Sequence, residues 1–266
     1  MEKLMRVEAA MLPDTSSSQD RIFTTQNAVI VLDGASAFVP VEVSPSTYVD
    51  TLGRFLVEGL AADPHISLTN LLAKAIEESV LLLGLRPGAS PSSTVAIARQ
   101  HDHVVDLLVL GDSQITTPQG PYVDDRIAHF AQEQRTSYRA RLAEGHGYDE
   151  THRDLLKTLQ AEQARHRNTD GGYWIAEAVP AAADHAIVAQ LDTELAHWLV
   201  LATDGAYRTM QHLGLDDWPA IAGRDHVELE KLLSELACWE ECYDPRGLAL
   251  PRAKCHDDKA IASVWC

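Results

Sequence analysis

Three apolar segments of this chain each run into an aspartate beside a glycine. Ala28-Val29-Ile30-Val31-Leu32 leads to Asp33-Gly34, Leu107-Leu108-Val109-Leu110 to Gly111-Asp112-Ser113, and Leu199-Val200-Leu201-Ala202-Thr203 to Asp204-Gly205. A fourth acidic pair, Asp257-Asp258, stands immediately before the last apolar segment. Apolar runs of this kind read as buried strands, so four strand ends can gather carboxylates at one edge of a core. A single Asp-Gly is most often only a turn; its recurrence at successive strand ends is what makes a candidate site. Gathered carboxylates repel one another and cannot all stay ionised unless cations neutralise them. Carboxylate oxygens, a glycine carbonyl and water are hard ligands suited to Mg²⁺ or Mn²⁺, whereas zinc sites draw on His and Cys. Two such ions roughly 3.5–4 Å apart hold a hydroxide nucleophile and neutralise a phosphoryl group, so the expected chemistry is metal-assisted hydrolysis of a phosphate ester.

Other reactive residue types are less informative. The 12 histidines are scattered, with no His-x-x-x-His pair beside a glutamate; His256, next to Asp257, is the one candidate for assisting a leaving group. Cys238, Cys242, Cys255 and Cys266 cluster toward the end of the sequence and make neither a disulfide framework nor a good zinc pattern. Cys238 and Cys242 share a helical stretch with Leu232, Leu233 and Leu236 and read as core or half-buried thiols. Nothing marks covalent serine or cysteine catalysis, and Leu32-Asp33-Gly34-Ala35-Ser36 lacks the second acid of an aspartyl-phosphate enzyme.

The elements that must position these acids follow from periodicity. Strands are predicted over 28–32, 94–98, 104–110, 198–202 and 260–265, the second and third forming a hairpin across a short polar turn. Tyr48, Leu52, Phe55, Leu56 and Leu60 recur at helical spacing, and so do Leu68, Leu71, Leu72, Ala75, Ile76, Ser79, Val80 and Leu83, the latter run with Ser67 as its N-cap. From 124 to 168 arginines alternate with acids in a polar, helix-prone stretch, predicted to be an exposed helical pair broken at Gly145 and Gly147. Gly171-Gly172 marks 168–174 as a mobile loop, with Trp174 either a lid over the site or an anchor in the core. Strands, helices, then strands again imply an α+β layered sandwich rather than a doubly wound sheet.

Composition limits the function classes. The 266 residues are 45% hydrophobic, enough for one domain over 1–266 with a helical insertion at about 120–183. A net charge of −17 argues against a nucleic-acid binder, which needs a basic face. No apolar run approaches the roughly 20 residues of a membrane span, and a start carrying Glu2, Glu8 and Asp14 does not read as a secretory signal. A cytoplasmic location is expected.

The order Gln19-Asp20, Leu32-Asp33-Gly34, Ser93-Thr94 with Gly111-Asp112-Ser113, Thr203-Asp204-Gly205 and Asp257-Asp258 before a terminal strand resembles the metal-dependent protein phosphatases, the type 2C serine/threonine phosphatases. The resemblance, to a bacterial-type single domain, runs from Gln19 to the end of the sequence. It implies a four-layer α-β-β-α sandwich with two antiparallel sheets, two or three Mn²⁺ or Mg²⁺ ions, and phosphoserine or phosphothreonine proteins as substrates. By resemblance, Asp33 bridges two metals, the Gly34 carbonyl binds the second, and Asp204 and Asp257 complete the first, making Asp33, Asp204 and Asp257 the catalytic set. Asp112 then holds a third ion with Asp204, and Asp20 acts mostly through metal-bound water; Asp257, not Asp258, matches the family's acid.

The family pattern is departed from in places. Gln19 stands where the family has glutamate, Ala35-Ser36 follow Asp33-Gly34 without a further glycine, and Gln114 replaces an arginine. Thr15 stands near the place of the phosphate-binding arginine that usually lies about five residues before the N-terminal acid, and the nearest arginines are Arg6 and Arg21. Two alternatives accompany the phosphatase expectation: a non-catalytic phosphatase-like module that binds a partner, and a hydrolase of small phosphate esters.

Overall fold

The computed structural model describes residues 5–15, 17–35 and 41–266; the first four residues and Ser36, which entered the sequence argument, lie outside these. Strand β3 (Ala28–Gly34) shows how the layers arise. Every residue in it except Asp33 is buried, because both of its faces are covered. Ala28, Ile30 and Leu32 pack under helices α1 (Pro45–Ala62) and α2 (Leu68–Leu83), while Val29 and Val31 point into the space between two sheets. A continuous apolar run is what a sandwiched central strand requires.

One sheet has the order β2 (Asp20–Thr24), β3, β4 (Ser93–His101), β5 (Val104–Leu110), β8 (Ile187–Asp192). The other runs β1 (Arg6–Leu12), β10 (Lys259–Trp265), β9 (Trp198–Ala202), β6 (Gln114–Thr117), β7 (Gly120–Val123). All pairings are antiparallel. The second sheet is covered by α5 (Asp204–Leu213), α6 (Trp218–Ala222) and α7 (His226–Cys242), whose Met210, Ile221, Leu229, Leu232, Leu233 and Leu236 pack on Val200 and Ile261. The result is the expected α-β-β-α sandwich of two antiparallel sheets.

The five anticipated strands are present, as is the β4–β5 hairpin, its turn narrowed to Asp102-His103, and Ser67 caps α2 by accepting from the Asn70 amide. Strands β1, β2, β6, β7 and β8 have no strong apolar run; β8 is a sheet-edge strand with Val188 57% exposed, so burial leaves little mark on its sequence. The polar middle forms a 3₁₀ turn (Arg126–His129) and a hairpin of α3 (Gln132–Ala143) and α4 (Glu150–Ala164), parted at Gly145 and Gly147, both in left-handed backbone. This hairpin has a small core of its own: Ala131, Tyr138, Leu142, Leu156 and Leu159.

Two expectations are corrected. Residues 168–174 are a tied loop, not a mobile one: the Asn168 amide donates to the Tyr173 carbonyl (2.8 Å), and Asn168 Oδ1 accepts from the Ile175 amide (2.9 Å). Trp174 is buried in the α1/α2 core and stacks on His185 with ring centroids 3.5 Å apart, which makes it an anchor. Cys238 and Cys242 are exposed rather than buried, because they fall on the outer face of α7, opposite Leu229, Leu232, Leu233 and Leu236.

Candidate active site

Strand register gathers the acids. Asp20 on β2 is directly opposite Asp33 on β3, and both side chains lie on the face that looks into the inter-sheet space. Like charges directly opposed across a ladder destabilise it, so the arrangement persists only if something offsets the repulsion. Asp112 follows β5, Asp204 is the first residue of α5 after β9, and Asp257 precedes β10. Asp33, Asp112, Asp204 and Asp257 line one cavity of about 280 Å³.

Glycines make the approach possible. A Cβ at Gly205 would come within 2.1 Å of the Asp258 carbonyl and 3.1 Å of the Asp257 Cβ. A Cβ at Gly34 would meet the Gln19 carbonyl at 2.7 Å. The Asp-Gly dipeptides are therefore close backbone contacts between segments far apart in sequence, Asp33-Gly34 ending β3 and Asp204-Gly205 opening α5, and not turns.

Electrostatics separate the acids into two kinds. Burial, together with repulsion from Asp257, Asp258 and Asp204, pushes the Asp20 carboxyl up to about 8 despite a 2.8 Å hydrogen bond from Thr203 Oγ1. Burial, then the Asp20, Asp204 and Asp257 charges, holds Asp33 well above the usual carboxylate range. Neither has an ion-pair partner among the described residues. The others do: Lys254 Nζ lies 2.5 Å from Asp257 Oδ1, and Arg208 lies 2.8 Å from Asp112 Oδ2 and 3.5 Å from Asp204 Oδ2. Burial still raises Asp257 against the pull of Lys254, and burial with the Asp204 charge raises Asp112 to about 6 against Arg208.

Asp258 is distinct from Asp257. Its Oδ2 accepts from the Gln19 amide at 2.5 Å, fastening the N-terminal segment to the start of β10, while Asp257 lines the cavity. Buried Lys259 supports this corner by donating to Glu240 Oε2 (2.8 Å) and to the Asp257 carbonyl (2.9 Å). His256 does not serve the cavity. Its ring is half exposed and faces Glu240 at 3.7 Å.

Sequence reasoning did not single out Lys254 and Arg208. Arg208 stands four residues after Asp204 on one helix, a spacing that brings acid and base together and is legible in principle; Lys254 stands three before Asp257 in an irregular loop and has no such signal.

The donor chemistry fits divalent cations. Five carboxylates meet two paired cations, and Asp20 and Asp33, the first of them 1% exposed, have no ionic partner among the described residues. No group of three His, Cys, Asp or Glu side chains among the described residues stands as a ready-made metal cage, with Asp257 drawn onto Lys254 and Asp204 onto Arg208. No helix among the described residues is long and apolar enough to cross a membrane.

No protein-family model matches the chain, and no curated protein matches its sequence. Its structure is similar to solved ones. PppA, described as a key regulatory component of T6SS in Pseudomonas aeruginosa, is 18% identical, with 99% of this chain and 98% of that one covered at a TM-score of 0.52. The PPM Ser-Thr phosphatase MsPP from Mycobacterium smegmatis is 14% identical over 99% of both chains (TM-score 0.51), and the photosystem II phosphatase PBCP is 11% identical over 98% of both (TM-score 0.55). The chain has the fold of the type 2C serine/threonine phosphatases.

Proposed function

We propose that this protein is a metal-dependent phosphatase that hydrolyses phosphoserine or phosphothreonine in a protein substrate. The observation that carries this reading is that buried Asp20 is directly opposed to partly exposed Asp33 across β2 and β3, with neither having a cationic partner among the described residues. Such a pair is stable at neutral pH when a multivalent cation stands beside it. Asp33, the Gly34 carbonyl, Asp204 and Asp257 are the ligands of two Mn²⁺ or Mg²⁺ ions on this reading, with Asp112 and Asp204 able to hold a third and Asp20 acting behind Asp33. When bound, the ions supply Lewis-acid neutralisation of the phosphoryl group and lower the pKa of the attacking water. Asp33, Asp204 and Asp257 orient that chemistry at the cavity floor, and the α3–α4 hairpin, as part of one domain over 1–266, limits access from above. The free thiols favour a reducing, cytoplasmic compartment.

The Lys254 and Arg208 ion pairs favour a second reading. An internal ammonium and guanidinium already neutralise three of the five acids, as a phosphatase-like binding module without turnover would require. One assay decides between them: phosphate release from a phosphothreonine peptide by purified protein with Mn²⁺, Mg²⁺ or chelator, beside the Asp33→Asn variant. Metal-dependent release that the variant loses supports the phosphatase. No release with either metal, from protein shown to be folded, leaves the binding module.

A further inference from the structure

The polar middle contains seven arginines, and their partners sort them. Arg126 pairs with Asp124, Arg141 with Asp149, Arg165 with Glu162 and Arg167 with Glu177. Arg135, Arg139 and Arg153 have no carboxylate partner among the described residues. Two of these three, Arg135 and Arg139, line the cavity whose floor carries Asp33, Asp112, Asp204 and Asp257. They stand four apart on α3 and so share a helix face, where like charges at that spacing are destabilising.

Arg135 is also fixed in place. Its Nε donates to the Phe130 carbonyl and its Nη2 to the Ile127 carbonyl, each at 3.3 Å, so the fork is oriented by backbone and has no carboxylate in direct contact. Burial, with the nearby guanidiniums of Arg208 and Arg139, disfavours that charge more than Tyr138 and Asp112 favour it, a cost that an anion in the cavity relieves. The guanidiniums near the start of the chain are committed elsewhere. Arg21 is buried against Asp50 and the Ser18 and Asp20 carbonyls, and Arg6 pairs with Glu8 on the surface.

We infer that Arg135 and Arg139 are the phosphate-recognition residues of this protein, holding the phosphoryl dianion of a phosphorylated side chain from the hairpin above the carboxylate floor. The proposal takes its ligand from the phosphatase reading. A guanidinium fork matches two phosphoryl oxygens at once, and Arg139, exposed at the cavity rim, reaches the same anion or the charge flanking it. Metal-facing acids below and arginines above then act on opposite sides of one phosphoryl group. Substrate choice is set by the hairpin, because the residues that hold the phosphate are on it.

The test is calorimetric titration of inorganic phosphate into the wild-type protein, with Mg²⁺ and separately with chelator, and into Arg135→Ala, Arg135→Lys, Arg139→Ala, the double alanine variant and Arg153→Ala. Each cavity arginine lost to alanine is expected to weaken phosphate binding about ten- to a hundredfold. The double variant is expected to lose the signal, Arg135→Lys to recover part of it, and Arg153→Ala to match wild type. With the phosphothreonine peptide the alanine variants raise KM more than they lower kcat. Arg139 is exposed, so its variant keeps the hairpin folded even where Arg135→Ala loosens it. Wild-type protein that binds no phosphate, a double variant that binds it unchanged, or an equal loss in Arg153→Ala overturns the proposal. A wild type that hydrolyses nothing, yet binds phosphate through these two arginines, sinks the phosphatase reading alone; hydrolysis indifferent to both arginines sinks this proposal alone.

Discussion

The floor and the roof of the cavity are built on opposite principles. The floor is acidic, and its geometry is fixed by hydrogen-bonded register: Asp20 faces Asp33 because β2 and β3 pair at that residue, and Asp204 and Asp257 meet because β9 and β10 are neighbours. The roof is a polar, arginine-bearing hairpin that stands on five buried side chains of its own and touches the rest through a few contacts, such as the His152 Nε2–Ala253 carbonyl hydrogen bond of 2.8 Å. A repelling charge cluster needs a stiff scaffold that local opening cannot relax, and two packed sheets supply one. A substrate-facing surface needs only a docked element, and its stability is separable from that of the sandwich.

That contrast can be broken most sharply at the floor. Asp33→Asn is expected to lower metal-dependent phosphate release by about a thousandfold, the loss of several kcal/mol of charge stabilisation at about 1.4 kcal/mol per tenfold. The same variant folds normally, because it removes a repelling charge. Next in size is the buried ion pair beside it. Lys259→Met leaves Glu240, 1% exposed, without its ammonium, and is expected to cost about 3–5 kcal/mol in denaturant unfolding. A floor that depends on a rigid corner loses Mn²⁺ response in this variant; an unchanged response would show that Lys259 is structural only.

At the roof, Leu142→Ala opens a cavity in a five-residue core and is expected to cost about 2–5 kcal/mol of local stability. Hydrogen exchange should speed up across α3 and α4 while β3, β4 and β9 keep their protection. Equal loss of protection in the strands would mean that roof and floor are one cooperative unit.

The smallest effect is the pH dependence of the metal-free protein. Asp20 at about 8 and Asp112 at about 6 lie above the ordinary 3.8, so the folded state holds protons that the unfolded chain releases. The stability they contribute is complete below the unfolded value and is lost as pH rises through about 6 and about 8. In chelator the melting temperature should fall between pH 6 and pH 8.5, by about 2–4 °C for each kcal/mol lost, and Mn²⁺ should reverse the fall. A melting temperature that is flat over that range would remove the repulsion argument.

The floor was legible because a strand buried on both faces must be continuously apolar, which leaves the aspartates at the ends of 28–32, 104–110 and 198–202 conspicuous. Their order along the chain did the rest, even with Gln19 and Thr15 departing from the pattern. The roof was legible only as a polar helical pair. Nothing in the alternation of arginines and acids says which arginines find a carboxylate, since that is decided by docking, as with Arg167 and Glu177 or Arg126 and Asp124. Lys254 was invisible for the same reason: its proximity to Asp257 depends on an irregular loop held by Asp244, which accepts from the Ala249 and Leu250 amides and from Arg252. The 168–174 segment misled because paired glycines signal a turn without revealing that Asn168 and Trp174 tie it down.

The central claim is that the strand-end acids are a divalent-metal site. Crystals of the protein soaked in Mn²⁺ and measured for anomalous scattering test it directly. The account predicts Mn²⁺ peaks among Asp33, Asp204 and Asp257, with Lys254 moved off Asp257. Saturating Mn²⁺ with no peak in the cavity, and Lys254 still on Asp257, would contradict it.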